Sequence, residues 1–355
     1  MPTFNPQVLR DIGYQLFETA GCREEDSRAV VDHIVESNLF GHDSHGVMRY
    51  AEYLRALREG RFKPQATPVV ITDHPCTAVV DANGALGQIG ANFATRLAID
   101  KARRQGMAAV GLRNTSHIGR IGAYPLQIAR EGLIGSIFAN AGHLGYQIAP
   151  FGGIDGRLST NPMAFAAPRR QADPILIDMT TSMAAEGKIR VAMNQGKSLP
   201  EGWIIDSEGR PTTDPHKFKG DPPGAILPLG GPVGHKGYGL SIMVEILGGA
   251  LSGEGCAAGE RTMSSNGVLI TVYNIEQFCD LDRYYDEADS LIAHVKTSRL
   301  AEGFNEILAP GEPEFRSAAR RQAEGISVDD NTWAQICEEA RWLGLSPQDW
   351  PGPSG

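Results

Sequence analysis

The chain has 355 residues, 41% hydrophobic and 21% charged, the balance of a soluble globular protein too long for one ordinary core. A formal net charge of −9 argues against a nucleic-acid binder, which would show a basic face, and leaves room for a local basic pocket for phosphates. No apolar run approaches the ~18 residues that span a bilayer, and the first residues carry neither the basic nor the apolar segment of a secretory leader.

Residues 6–59 read as three helices. Val8, Leu9, Ile12, Leu16 and Phe17 set a helical spacing in the first, and Val30, Val31, Ile34 and Leu39 in the second. Ser44 is a candidate cap for a third helix from about Gly46 to Glu59. The β-rich runs 68–71 and 77–81 follow, split by a turn at Asp73-His74-Pro75. Helix returns at 91–105, and 108–112, 135–140 and 175–179 read as short strands. Residues 195–235 are Pro/Gly-rich loop, 239–251 an apolar helix, 267–273 a clear strand, and 310–345 charged and helical. Strands alternating with helices give a mixed α/β class.

The five cysteines (Cys22, Cys76, Cys256, Cys279 and Cys337) are odd in number and form no CxxC pair. Reduced thiols in a cytoplasmic protein are the expectation, with neither a zinc ribbon nor a disulfide framework.

Four stretches carry chemistry. In 41–50, Ser44-His45 precedes Arg49. Positions i and i+4 share a helix face, so a near-neutral proton carrier stands beside a fixed planar cation. That pair suits a small carboxylic acid, gripped by the guanidinium and protonated by the imidazole; an exposed pair on a solvated helix is the plain alternative. In 114–124, His117 follows a strand and leads into a helix, where open α/β sheets bind ligands; a structural histidine at a helix start is the alternative. Ser159-Thr160-Asn161-Pro162 and Asp178-Met179-Thr180-Thr181-Ser182 put hydroxyls and a carboxylate beside a strand, able to hold a ribose or simply to cap a helix. In 234–240, His235-Lys236 sits in a glycine-rich loop before a helix, a phosphate site or a solvated lysine. It lacks P-loop spacing. The glycines at 84–90 and 253–255 give no GxGxxG fingerprint, and no GxSxG elbow occurs. His42 and His45 form an HxxH pair without a persuasive third ligand, so no metal is expected.

Taken in order, GHDSHGVMRY, NTSHIGRIGAY, STNPMAF, IDMTTSM and GHKGYG resemble the type 2 malate/L-lactate dehydrogenase family across roughly residues 5–345. The resemblance implies a cofactor domain on a largely antiparallel, non-Rossmann sheet (73–305) and a helical domain from both chain ends (1–72 and 306–355). It implies a homodimer, NAD or NADP with NAD favoured, and a small carboxylate substrate, with no nucleic-acid or membrane partner. By the same resemblance, His45 and His117 are the acid/base pair, Ser44 orients His45, and Arg49 clamps the carboxylate. His117, Asn140, Asp178, Met179, Thr180, Thr181, Ser182, His235, Lys236, Pro310, Gly311 and Glu312 are then the cofactor contacts. The implied reaction interconverts a 2-oxo and a 2-hydroxy acid; the family also contains reductases of cyclic imino acids and ureidoglycolate dehydrogenases.

Overall fold

The computed structural model describes residues 2–140, 146–258 and 265–352. A two-residue strand, β1 (Thr3–Phe4), pairs antiparallel with β12 (Ile326–Ser327) and ties the chain ends together. Helix α1 (Pro6–Thr19) starts where Asn5 accepts the Gln7 N–H at 2.8 Å and Pro6 occupies the first turn. Helix α2 (Glu24–Leu39) buries Val30, Val31 and Ile34, as their spacing requires.

The third helix departs from the sequence reading. A 3₁₀ turn (Asp43–His45) comes first, and α3 (Arg49–Arg58) begins later than expected. Ser44 is therefore not its cap, and His45 and Arg49 do not share a helix face. The Asn38 side chain at the end of α2 holds this turn. It accepts the Val47 N–H at 2.8 Å and donates to Asp43 at 2.7 Å. Arg321, on α10 (Glu312–Glu324), grips Asp43 and the Asn38 carbonyl from the other chain end.

The centre is a seven-stranded sheet. Its strands are β2 (Val69–Asp73), β3 (Thr77–Asp81), β4 (Met107–Thr115), β5 (Ile134–Asn140), β6 (Met163–Ala167), β7 (Ile175–Met179) and β11 (Asn266–Tyr273), in the order β2-β3-β4-β11-β5-β6-β7. Only β3 and β4 run parallel; every other neighbouring pair is antiparallel. Central β4 and β11 are apolar on both faces because helices cover them, α4 (Gly87–Gln105) packing on β4. Helix α5 (Ala123–Arg130) lies against β5 and β6.

A smaller lobe carries α6 (Glu186–Asn194), α7 (Pro215–Phe218) and a three-stranded sheet of β8 (Ile204–Ile205), β9 (Pro211–Thr212) and β10 (Ala225–Ile226). Ile148, Ile189, Phe218 and Ile226 form its core. The expected apolar helix at 239–251 is two pieces: α8 (His235–Val244), starting four residues earlier, and a π-helical segment (Glu245–Ala250). Helices α9 (Leu281–Lys296) and α11 (Asp330–Trp342) complete the chain. The main core runs from α1 and α2 through the sheet to Ile336 of α11. No described helix is long and apolar enough to cross a membrane.

Candidate active site

His45 and His117 reach one place from opposite directions. Their ring centroids lie 5.4 Å apart with planes 17° from parallel. His45 closes the 3₁₀ turn after α2, and His117 sits in the loop joining β4 to α5. Arg49 begins α3 beside them. Its Nε donates to the Ser44 carbonyl at 2.7 Å, and Nη1 pairs with Glu52. Nη2 has no partner among the described residues, which leaves donor capacity for a carboxylate.

Each ring is held from behind, by different means. Ser44 Oγ lies 3.0 Å from His45 Nδ1, and the Tyr53 hydroxyl lies 2.6 Å from His117 Nδ1. Gln88 Nε2 donates to the Tyr53 oxygen at 3.2 Å. The phenol proton has two acceptors, His117 Nδ1 at 2.6 Å and the His117 carbonyl at 3.4 Å, and the shorter contact assigns it to Nδ1, which leaves the N–H of neutral His117 on Nε2. Ser44 sets no such bias, because its hydroxyl can donate to Nδ1 or accept from it. Tyr53 is a residue the sequence reading missed.

Burial holds the His117 pKa well below the usual imidazole range, and the Arg49 charge lowers it further. The same two causes push His45 down to about 3. Both rings are neutral at pH 7. Tyr53, by burial, is pushed up to about 12 and keeps its proton.

The loop of His117 is built by close approach. Helix α4 starts directly beneath it, and the Gly87 N–H donates to Ser116 Oγ at 2.7 Å. A Cβ at position 87 would fall 2.2 Å from the His117 carbonyl oxygen, so only glycine fits. Gly87, one of the glycines at 84–90 that give no dinucleotide fingerprint, thus seats His117. Asn266 accepts the Ile118 N–H at 3.1 Å and donates to the Asn140 carbonyl at 2.8 Å, linking β5 to the same loop.

Asp178 meets this loop at the end of β7, where its Oδ2 accepts the Gly122 N–H at 2.9 Å. Met179 follows as the last residue of β7. Thr181 is locked to the Thr160 and Asn161 carbonyls, Ser182 donates to the Ala184 carbonyl at 2.8 Å, and Thr180 donates to the Ser182 carbonyl at 3.2 Å. Asn140 is buried with its carboxamide fully engaged: Nδ2 donates to Glu245 and the Gly255 carbonyl, and Oδ1 accepts the Gly267 N–H. His235 and Lys236 are exposed at the start of α8, which adjoins the Asp178 stretch through Leu229, donor to the Thr181 carbonyl at 3.0 Å. Pro310 accepts the Leu176 N–H at 3.1 Å beside β7. Gly311, at φ +95°, turns the chain into α10, and Glu312 accepts the Ala309 N–H and pairs with Lys296.

Arg120 is a second residue the sequence reading passed over. It is 1% exposed. Its guanidinium stacks 4.5 Å from the Phe40 ring centroid and gives one hydrogen bond of 2.9 Å to Glu36. Nη1 stands 4.0 Å from Asp178 Oδ2, beyond hydrogen-bond range, and neither Nε nor Nη1 has a hydrogen-bond partner among the described residues.

These features define a mixed α/β protein in which two facing neutral imidazoles and an arginine stand together, bordered by a strand end rich in hydroxyls. The malate/L-lactate dehydrogenase family model matches residues 4–337. Hydroxycarboxylate dehydrogenase B of Escherichia coli K12 is 35% identical over 347 residues, covering 96% of this chain and 94% of that protein. The solved sulfolactate dehydrogenase of Methanocaldococcus jannaschii superposes with a TM-score of 0.88 at 34% identity, over 99% of both chains. The delta1-piperideine-2-carboxylate reductase of Pseudomonas syringae superposes at 0.83 and 28% identity, over 96% of this chain and 100% of that one. The chain belongs to the malate/L-lactate dehydrogenase family.

Proposed function

We propose that this protein is an NAD(P)-dependent oxidoreductase that interconverts a 2-oxo acid and its 2-hydroxy acid. The observation that carries the reading is the convergence of His45, His117 and Arg49 on one point. Arg49 Nη2 anchors the substrate carboxylate and fixes the neighbouring carbonyl between the rings. His117, with Nε2–H outward, donates a hydrogen bond to the carbonyl oxygen. In oxidation neutral His45 takes the hydroxyl proton; in reduction it first takes up a solvent proton as the substrate carboxylate offsets the Arg49 charge, and then gives it to that oxygen, with Ser44 able to serve either protonation state of the ring. Positioned acid/base transfer of this kind contributes about 10²–10⁴-fold. A nicotinamide dinucleotide bound here would supply the hydride in reduction and take it in oxidation. Asp178 to Ser182, His235-Lys236 and Pro310 to Glu312 are the residues assigned to hold it, with Asn140 shaping the neighbouring β5 end. The unmatched donors of Arg120 beside Asp178 fit a ligand that brings hydrogen-bond acceptors.

Named relatives that act on hydroxycarboxylates and sulfolactate support this substrate class. A cyclic imino acid is the second reading, supported by the piperideine-carboxylate reductase neighbour. Arg49 serves both. Dinucleotide oxidation on a panel of 2-oxo acids and cyclic imino acids, with NADH and NADPH in parallel, separates them. Turnover of oxo acids, abolished in His45→Ala and His117→Ala, is expected. Turnover of imines alone transfers the assignment to the second reading, and no turnover with either class removes both.

The homodimer belongs to the same proposal. Leu240, Met243, Ile246 and Leu251 are 40–61% exposed along α8 and the segment after it, an apolar face that a second copy would cover. Sedimentation of the wild type and of Met243→Glu tests this: a dimer and its dissociation are expected.

A further inference from the structure

Glu245 is a buried carboxylate that the proposed chemistry leaves unused. It is 4% exposed and opens the π-helical segment that continues α8. Three N–H donors meet it. Asn161 Nδ2 donates to Oε1 at 2.8 Å, and Asn140 Nδ2 and the Ala257 N–H each donate to Oε2 at 3.0 Å. It forms no ion pair among the described residues. A carboxylate out of water and without a counter-charge is a poor source of stability, so its value lies in what it holds. The wide turn of the segment brings it there. Gly248 and Gly249 lie directly on the end of β5, where a Cβ on Gly249 would stand 2.4 Å from Asn140 Nδ2 and one on Gly248 3.0 Å from the Asn140 backbone nitrogen.

Three segments meet at this carboxylate. Helix α8 begins with His235-Lys236 and runs into Glu245 itself. Asn140 ends β5. Asn161 carries the Asp178–Ser182 stretch, since its carbonyl accepts Thr181 Oγ1 at 3.0 Å. Asn161 is costly as built. It is fully buried at φ +38°, a left-handed backbone that disfavours a residue with a side chain. Its Nδ2 is turned to Glu245 and to Ser241 Oγ, and its Oδ1 is then buried without a hydrogen-bond partner among the described residues. The second cost follows directly from aiming this carboxamide at Glu245, and local strain of this kind persists at functional sites. A glutamine could not stand in for Glu245, because both oxygens accept and an amide offers one acceptor and one donor. We propose that Glu245 is a positioning residue for the dinucleotide, a three-way tie that fixes α8, the β5 end and the Thr181 turn against one another before any ligand arrives.

This inference rests on the dehydrogenase reading, and its test pairs a binding measurement with turnover. In Glu245→Gln the amide nitrogen faces an N–H donor whichever way it turns, so the tie opens on one side. The dissociation constant of the reduced dinucleotide that binds, NADH or NADPH, is read by fluorescence titration and is expected to rise about tenfold, the usual weight of a hydrogen bond to a charged group. The kcat at saturating dinucleotide and the KM for the oxo acid are expected to stay within about twofold of the wild type. Asn161→Asp sets two carboxylates face to face and is expected to weaken dinucleotide binding likewise. The double variant Glu245→Gln with Asn161→Asp reverses donor and acceptor between the two side chains, and its affinity is expected to return to within about twofold of the wild type. An unchanged dissociation constant in Glu245→Gln overturns the inference. So does a double variant that binds no more tightly than the single ones, or a loss of affinity matched by an equal loss of kcat and of melting temperature. A single variant too unstable to titrate is judged by the double variant, whose wild-type affinity supports the tie and whose failure overturns it. None of these results touches the dehydrogenase reading if the wild type turns over oxo acids, whereas absence of any dinucleotide binding by the wild type overturns both.

Discussion

The Tyr53 hydroxyl stands 2.6 Å from His117 Nδ1 while accepting from Gln88 at 3.2 Å. Placed on the nearer of its two acceptors, the phenol proton sets the tautomer of the His117 imidazole. Tyr53→Phe removes the partner and frees His117 to turn its N–H inward. Turnover is expected to fall about 10–100-fold, the weight of one buried hydrogen bond to a reacting group, with dinucleotide affinity unchanged. A shifted pH profile of kcat separates this from simple loosening of the core. Wild-type kcat and pH dependence in the variant would remove Tyr53 from the site.

Arg49 is tied by Nε to the Ser44 carbonyl, so its free terminal nitrogen is aimed before any substrate arrives. Lysine keeps the charge but loses both the tether and the planar fork. Arg49→Lys is expected to raise the KM for the acid about 10–100-fold, as loss of a charge-assisted hydrogen bond does, and to leave dinucleotide binding untouched. An unchanged KM would place the carboxylate elsewhere.

Burial and the same Arg49 charge together depress the His45 pKa to about 3. A bound carboxylate cancels that charge, so the ring pKa must rise on binding. Binding of a non-reacting 2-oxo acid analogue to the dinucleotide complex is therefore expected to take up a fraction of a proton, larger near pH 6 than near pH 7.5. Titration calorimetry in buffers of different ionisation enthalpy measures it. Proton release, or none at either pH, would contradict the assignment of His45 as the proton carrier.

The facing histidines and Arg49 were legible because they interrupt apolar periodicity with short polar, glycine-bounded stretches. Their mutual position was read on wrong grounds: the i,i+4 helical face does not exist, and a 3₁₀ turn held by Asn38 does the positioning. Tyr53 was hidden by its spacing, since with Tyr50 and Leu54 it reads as ordinary core. Arg120 looks like a solvated charge in a glycine-rich loop until Glu36, 84 residues away, and Phe40 enclose it. Strand β6 reads Met-Ala-Phe-Ala-Ala, poor in β-branched residues, and is a strand because β5 and β7 flank it. Helix α9 carries a clear signal that went unused: Asp280 caps it by accepting the Arg283 N–H at 2.9 Å. Only its Ile292 is buried, so its apolar pattern lies mostly on the surface.

His33, His45 and His117 are all held neutral by burial, and His42 is lowered in the same way. Their native pKa values lie below the unfolded value of about 6.5. Below that pH the unfolded chain binds protons that the native chain refuses, so stability is full above it and falls as the medium acidifies. Each such histidine contributes a slope of up to about 1.4 kcal/mol per pH unit. Urea midpoints are expected to drop between about pH 6.5 and 5, ahead of the carboxylates, and His33→Gln is expected to flatten the slope. A midpoint constant across that range would mean the rings are charged in the native state.

Gly119 joins the stability of this loop to its chemistry. It sits at φ +78°, and a Cβ there would lie 2.3 Å from His33 Nε2 and 3.0 Å from Gln88 Nε2. Gly119→Ala therefore meets two penalties, a left-handed backbone that disfavours alanine and a ring that must move, together about 1–3 kcal/mol. Displacing Gln88 also removes the donor that orients Tyr53, so kcat is expected to fall along with the melting temperature. The double variant Gly119→Ala with His33→Ala removes the 2.3 Å approach and leaves the backbone term and the Gln88 contact, so Gly119→Ala is expected to cost less in the His33→Ala background than in the wild type. If the single variant melts and turns over like the wild type, the loop is looser than these contacts imply, and His117 is not held from behind by the chain Gln88–Tyr53.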